Sequence, residues 1–444
     1  MRVSWFRTLL VVAIAAFAGT PIPVSGQTPR DLGLESFDAA WRIVYQTHFD
    51  STFNGVDWPS VRDSLRPGAA GVSRDSIRTL ISGMLGRLAQ SHFAVIPQES
   101  ADEPPGGGGR GGEGTIGLDF RLIEGRVVVT RVDSAGPAQR AGIRPGWVLE
   151  AVDTNRVAAL LPRLQKRKSR YRLEVRAWGN VTAWLQGPPG GEVTLELRDA
   201  AERPVRVALT REDDPSLPVK FGDLPTFYAR FASRELAPEP GFRVGVIEFN
   251  TWMVPLVRQV DSAVDALRKA NGIVLDLRGN RGGVGAMVMG VAGHFTPRRD
   301  TLGLFRTRTT TLRFIANPRT VSPAGRPVEP FRGPVAILVD DMSGSASEVF
   351  AGGMQAIGRV RVFGATSLGG VLPASWDRLP NGDVLYHAIA DFVTSDGIVL
   401  EGRGVIPEEP IALTRADLLA GRDPVLDAAV RWIRGAARSQ GGNP

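Results

Sequence analysis

The sequence predicts an α/β protein. Three observations carry that expectation: strand and helix patterns alternate after Pro240, an apolar stripe at helical spacing runs through residues 73–90, and short β-branched runs cluster in residues 114–211. The chain has 444 residues, 43% hydrophobic and 22% charged, a balance that excludes a fibrous or disordered protein.

The elements follow in order. Arg2 and Arg7 flank a short apolar run, Leu9–Phe17, and small residues continue through Ser25 and Gly26. This is the three-part plan of a secretory signal peptide over residues 1–26; the bland alternative is an uncleaved anchor. No later stretch reaches the ~18 apolar residues of a membrane span. The expectation is an exported, then soluble, protein, periplasmic or secreted, with no integral membrane segment after cleavage. Residues 27–100 read as helical. Ile77, Leu80, Ile81, Met84, Leu85 and Leu88 make one apolar face, Ser73 is placed as its N-cap, and the helix is expected to stop near Gln90. Phe93–Ile96 reads as a short extended piece. The Gly-dominated run within 101–113 reads as a flexible linker.

Residues 114–212 switch to short strands: Val127–Val132, Gly146–Val152, Val193–Leu197 and Val205–Leu209, with a brief helix at Pro137–Ala141. Residues 213–436 form the alternating region. Val244–Phe249, Ile273–Leu277 and Val335–Asp340 are strands; Val284–Phe295 and Ser347–Ile357 are helices. The economical arrangement is a set of parallel βαβ units. Residues 437–444 read as a disordered tail.

Charge and cysteine content narrow the chemistry. The formal net charge is +7, with only four lysines (Lys166, Lys168, Lys220, Lys269) among 53 basic residues. The one compact basic run, Lys166–Arg170, lacks interleaved aromatics, so no nucleic-acid partner is expected. With no cysteine, disulfides, a lipoprotein anchor, a thiolate nucleophile and Cys-ligated zinc are excluded.

Two strand-to-helix turns stand out, Asp276–Gly283 (DLRGNRGG) and Asp341–Glu348 (DMSGSASE). Each places small residues where a strand ends and a helix begins, so unpaired backbone N–H groups and the helix dipole favour negative charge there. Side by side, two such turns can make an oxyanion hole with a serine hydroxyl between them. Locally, other readings stay open. Ser345 and Glu348 have capping-box spacing, and a Gly-rich turn can cradle phosphate, although the Walker lysine is absent.

Two resemblances extend this reading. GTIGLDF (Gly114–Phe120) and SAGPAQRAGIRPGWVLEAVD (Ser134–Asp153) resemble a PDZ domain. That implies an extended peptide, often a free C-terminus, adding as a strand beside Gly117, Leu118, Asp119 and Phe120. DLRGNRGG paired with SGSASEVFAGGMQ resembles the C-terminal-processing (tail-specific) and tricorn serine peptidases over nearly the whole chain after residue 26. The resemblance implies a crotonase/ClpP-like α/β catalytic core, a helical N-terminal region and an inserted, mainly β, PDZ domain. It implies Ser345 as nucleophile and Ala346 with Gly282 or Gly283 as backbone oxyanion donors.

One departure bears on the base. The processing branch uses a Ser–Lys dyad, but the corresponding place here is Gly370, and no lysine follows Lys269. A serine hydroxyl needs a base, and four histidines exist to supply one: His48, His92, His294 and His387. The tricorn-like branch uses Ser–His–Glu. By that resemblance His92, in LAQSHFAV, is the base and Glu401, in EGRGVIP, the orienting carboxylate. Ser91 is a further candidate for holding that acid, and Glu408 and Glu409 lie near it in sequence. His294 is the rival base, His48 a helix-packing residue and His387 a structural one. The implied activity is endopeptidase hydrolysis through an acyl-enzyme, with protein or peptide substrates and no cofactor or metal. A histidine base predicts activity rising with pH through ~6–7, where free imidazole titrates. The alternative is a catalytically inactive PDZ scaffold or a hydrophobic-ligand binder of the same fold.

Overall fold

The computed structural model describes residues 31–102, 114–166, 169 and 171–441. The expected signal peptide, and the linker from residue 103 onward, lie outside the described residues.

A six-stranded sheet organises the second half of the chain. Phe231–Glu239 runs antiparallel to Phe242–Phe249, which is followed by the parallel strands Gly272–Asp276, Val335–Val339, Arg361–Gly364 and Glu409–Pro410. Gly272–Asp276 and Val335–Val339 are buried throughout, as strands covered on both faces must be. Their alternation decides what each face meets. Ile247, Ile273, Leu275, Val335 and Ile337 point to one core, shared with helices Val257–Ala266, Ala286–Ala292 and Ala346–Ala356. Val244, Val246, Val274, Ala336 and Leu338 point to the other, covered by Val425, Ala429 and Ile433 of helix Pro424–Gly441. The tail expected from residue 437 is therefore corrected as far as Gly441: the chain there continues the helix.

The N-terminal helices Leu32–Thr47, Trp58–Leu65 and Arg74–Gly86 make their own core around Phe37, Trp58, Ile81 and Leu88. Ser73 caps the third, accepting the Ser76 N–H, and this helix ends at Gly86 rather than near Gln90. Leu379 and Leu385, from far along the chain, complete that core. Strand Ala94–Ile96 pairs antiparallel with Val384–Ala388, setting Ala94 opposite Tyr386. Arg78 reaches the fully buried Asp383 at 2.7 Å. The helical region is thus stitched to the sheet region immediately after His92.

Residues 114–213 form a β-rich module. Its strands run Leu118–Ile123, Arg126–Val132, Val148–Val152, Glu192–Arg198 and Pro204–Thr210 in spatial order, with antiparallel neighbours. Leu118–Ile123 lies at the sheet edge, beside helix Leu173–Leu185, where Trp178 Nε1 donates to Asp119 at 3.2 Å. Gly114–Thr115 pairs with Glu212–Asp213, so the module closes where the chain enters and leaves it. Arg121 meets Asp340 at 3.0 Å, Arg172 donates to the Thr366 and Ser367 carbonyls at 2.7 Å, and Arg281 lies 4.6 Å over the Trp178 ring. The module therefore rests on the two turns singled out in the sequence.

Candidate active site

Ser345 stands at the N-terminus of helix Ala346–Ala356, at the end of the turn leaving strand Val335–Val339. Its backbone has φ +53° and ψ −118°, outside the ordinary regions for a residue with a Cβ. A turn this sharp lifts the hydroxyl out of the sheet end. Gly282 makes room for it: a Cβ there would stand 2.5 Å from the Ser345 Cβ, and φ is +101°.

His92 follows the third helix, also at positive φ (+61°). The strand pairing after it carries its ring across the molecule, and Nε2 lies 3.2 Å from Ser345 Oγ, over a sequence separation of 253 residues. The Tyr386 ring packs against the imidazole at 5.7 Å. Burial beside Tyr171 pushes the Tyr386 phenol up to about 12, so it is neutral at physiological pH.

Glu401 reaches the imidazole through Ser91. Ser91 Oγ is 2.7 Å from His92 Nδ1 and donates to Glu401 Oε2 at 2.8 Å, while the Ser91 N–H donates to Oε1 at 2.8 Å. With its hydroxyl proton on the carboxylate, Ser91 Oγ accepts from Nδ1–H, which leaves Nε2 unprotonated toward Ser345. The Val371 N–H adds a third donor to Glu401, at 3.0 Å. Between the Glu401 carboxylate and the imidazole stands a buried hydroxyl, that of Ser91.

The other candidates lie elsewhere. His294 is buried against Asp261 (2.8 Å), His387 bridges Asp377 and Thr47, and His48 stacks on Phe49 and Phe93. His48 Nε2 also meets Gln90 Oε1 at 2.8 Å, steadying the chain just before Ser91. Glu408 accepts the Val362 N–H and Glu409 pairs with Arg361. Of the two glycines offered as oxyanion donors, the Gly282 N–H is already given to Asn280 Oδ1 at 3.0 Å. The N–H groups of Gly283 and Ala346 donate to no acceptor among the described residues. Gly117–Phe120 lie on the β-rich module, with Phe120 buried and Asp119 held well below the usual carboxylate range, at about 2, by Arg121 and Arg131 against the opposing effect of burial.

Two residues escaped the sequence reading. Asn280 binds the Phe249 carbonyl through Nδ2 (2.8 Å) as well as the Gly282 N–H. Glu348, read only as a capping residue, is fully buried. Asp340 in turn receives the Gly279 N–H at 2.8 Å and so ties the first turn to the second. Among the described residues, no group of three or more His, Asp or Glu is placed to hold a metal ion.

Residues 243–411 match the model of peptidase family S41. Over those residues the chain is similar to serine peptidases of that family. The chain is 26% identical to carboxyl-terminal-processing peptidase 2, chloroplastic, of Arabidopsis thaliana, over 91% of the chain and 73% of the relative. It is 24% identical to the carboxyl-terminal-processing protease of Synechocystis sp., over 96% and 92%. Tricorn protease homolog 1 of Streptomyces coelicolor is 28% identical over 89% of the chain, which spans only 34% of that larger protein. In fold, the chain is similar to the photosystem II D1 C-terminal processing protease (TM-score 0.59, 23% identity, 91% and 97% coverage). It is also similar in fold to mature CPAF (TM-score 0.62, 13% identity, 92% and 99% coverage). No described helix is long and apolar enough to cross a membrane.

Proposed function

We propose that this chain is an exported serine endopeptidase in which Ser345 is the nucleophile, His92 the general base and Glu401, through Ser91, the orienting acid. The observation that carries the reading is the 3.2 Å approach of His92 Nε2 to Ser345 Oγ across 253 residues. Ser345 Oγ attacks the scissile carbonyl while its proton passes to Nε2. The same proton then goes to the leaving amine, and water attacks the acyl-serine with His92 again as base. Positive charge on the imidazole is matched by Glu401 across the Ser91 hydroxyl. The tetrahedral oxyanion is received by the Ala346 and Gly283 N–H groups, which is supported by both lacking another acceptor among the described residues. No step calls for a metal or organic cofactor.

The substrates are proteins or peptides. The β-rich module, residues 114–212, is proposed to be a PDZ domain that takes substrate C-termini as an added strand along Gly117–Phe120. Support comes from the edge position of Leu118–Ile123 and the helix Leu173–Leu185 beside it. Residues 27–100 then act as the domain that delivers His92, and residues 213–436 as the peptidase core.

The test is incubation of the wild type and Ser345→Ala with casein and C-terminally tagged peptides across pH. Ser345-dependent cleavage, with free C-termini preferred over amidated ones, is the expected result. A scaffold or hydrophobic-ligand binder of the same fold shows no hydrolysis that Ser345→Ala removes.

A further inference from the structure

Glu348 lies outside the chain Ser345–His92–Ser91–Glu401, yet its surroundings are more specific than a helix cap requires. It is 0% exposed. Oε2 accepts the N–H groups of Ser345 (3.1 Å) and Gly370 (2.9 Å). Oε1 accepts the Ser367 hydroxyl (2.5 Å) and the Gly369 N–H (2.6 Å). The Ser345 N–H also meets the Gly370 carbonyl at 2.9 Å, and the Val371 N–H supports Glu401. One carboxylate thus binds both the strained nucleophile turn and the loop that braces the acid.

We propose that Glu348 is a positioning residue of the hydrolytic site, its ionised carboxylate holding the Ser345 backbone and the 367–371 loop in one arrangement so that hydroxyl and acid face His92 from fixed places. This rests on Ser345 being the nucleophile. Four donors converge on two oxygens, and an ionised carboxylate supplies acceptors for all of them. A glutamine does not. If its amide nitrogen takes the Oε2 place it faces the Ser345 and Gly370 N–H groups. In the Oε1 place it faces the Gly369 N–H. An ordinary capping box, by contrast, is served by Glu or Gln alike. Burial pushes this carboxyl up to about 7 against the pull of its four donors.

The discriminating experiment compares wild type, Glu348→Gln and Ser367→Ala. Ser345 is labelled with a fluorophosphonate to count competent sites, and kcat and KM on a tagged peptide are expressed per labelled site. The expected result for Glu348→Gln is a kcat reduced about 10- to 100-fold with KM within twofold, the cost of a misplaced nucleophile. Ser367→Ala removes one donor and keeps the charge; its expected kcat loss is about threefold to tenfold, and it carries the test if Glu348→Gln does not fold. A wild-type kcat per site in Glu348→Gln, or in Ser367→Ala where only that variant folds, overturns the proposal. A wild type whose Ser345 takes no label overturns the nucleophile assignment and the proposal with it, and that outcome is read on the wild type alone.

Discussion

Ser345 and His92 each hold a backbone conformation that L-residues with side chains seldom adopt, at φ +53° and +61°. Such strain persists only where surroundings over-determine it. Around Ser345 those surroundings are Glu348, the Gly370 carbonyl and the space left by Gly282. Gly282→Ala is expected to abolish peptidase activity while leaving a folded protein, since the added methyl meets the Ser345 Cβ; turnover and circular dichroism measured together check this. The relay through Ser91 makes a further prediction. Ser91→Ala leaves Nδ1 without its 2.7 Å partner and should lower kcat about 10- to 100-fold. Because Ser91 and Glu401 act through one path, Ser91→Ala combined with Glu401→Gln should cost little more than the worse single change. Full additivity in that double-mutant cycle would contradict a shared relay. The residues taken from motif resemblance, His92, Ser345 and Glu401, meet in space. Glu348 went unread because its four partners include three residues of a loop about twenty positions away, and nothing in a Ser-x-x-Glu spacing announces them.

At the scale of elements, two strands do the assembling. Ala94–Ile96 is three residues long, yet its pairing with Val384–Ala388 sets where His92 arrives. Leu385, fully buried in the N-terminal helical core, is the anchor of that pairing. Leu385→Ala is expected to destabilise the protein by ~2–4 kcal/mol and to lower the rate of Ser345 labelling; chemical denaturation and labelling kinetics test both. The central parallel strands, Ile273–Leu277 and Val335–Asp340, were legible in the sequence because Ile273–Leu275 and Val335–Val339 within them are unbroken apolar runs, as strands buried on both faces must be. The edge strand Phe231–Glu239 was not, because Ser233, Arg234 and Glu235 leave both of its faces exposed there and dilute the pattern. Helix Leu173–Leu185 buries only Ala177, Val181 and Leu185, with Gly179 in its interior, so its stripe is faint. Helix Pro424–Gly441 shows Val425, Ala429 and Ile433 at regular spacing, but runs beyond its last buried residue, where extending a formed helix costs little and sequence offers no marker.

The whole molecule joins its parts through charge as well as apolar contact. Arg121 and Arg172 bring the β-rich module onto the turns on either side of Ser345, and Arg78 brings the N-terminal helices onto Asp383. Global stability should also register Glu348. Its carboxyl is raised from 4.5 to about 7, so between those values the native state holds a proton that the unfolded chain has lost. The stability this group contributes is complete below pH 4.5 and declines by up to ~3 kcal/mol as pH rises through 7. Denaturant unfolding at pH 5, 6, 7 and 8 should therefore show a shallower decline in Glu348→Gln than in wild type; parallel slopes would contradict the assignment. The fold thus gives up stability above pH 7 to keep an ionised carboxylate beneath Ser345.

The meeting of His92 with Ser345 is tested most directly by the rate of fluorophosphonate labelling, with the modified residue located by mass spectrometry. Wild type is predicted to be labelled at Ser345 alone, and His92→Ala to be labelled at least about a thousandfold more slowly while still folded. Equal labelling rates in wild type and His92→Ala would mean that the imidazole does not activate the hydroxyl, and the catalytic assignment would fall.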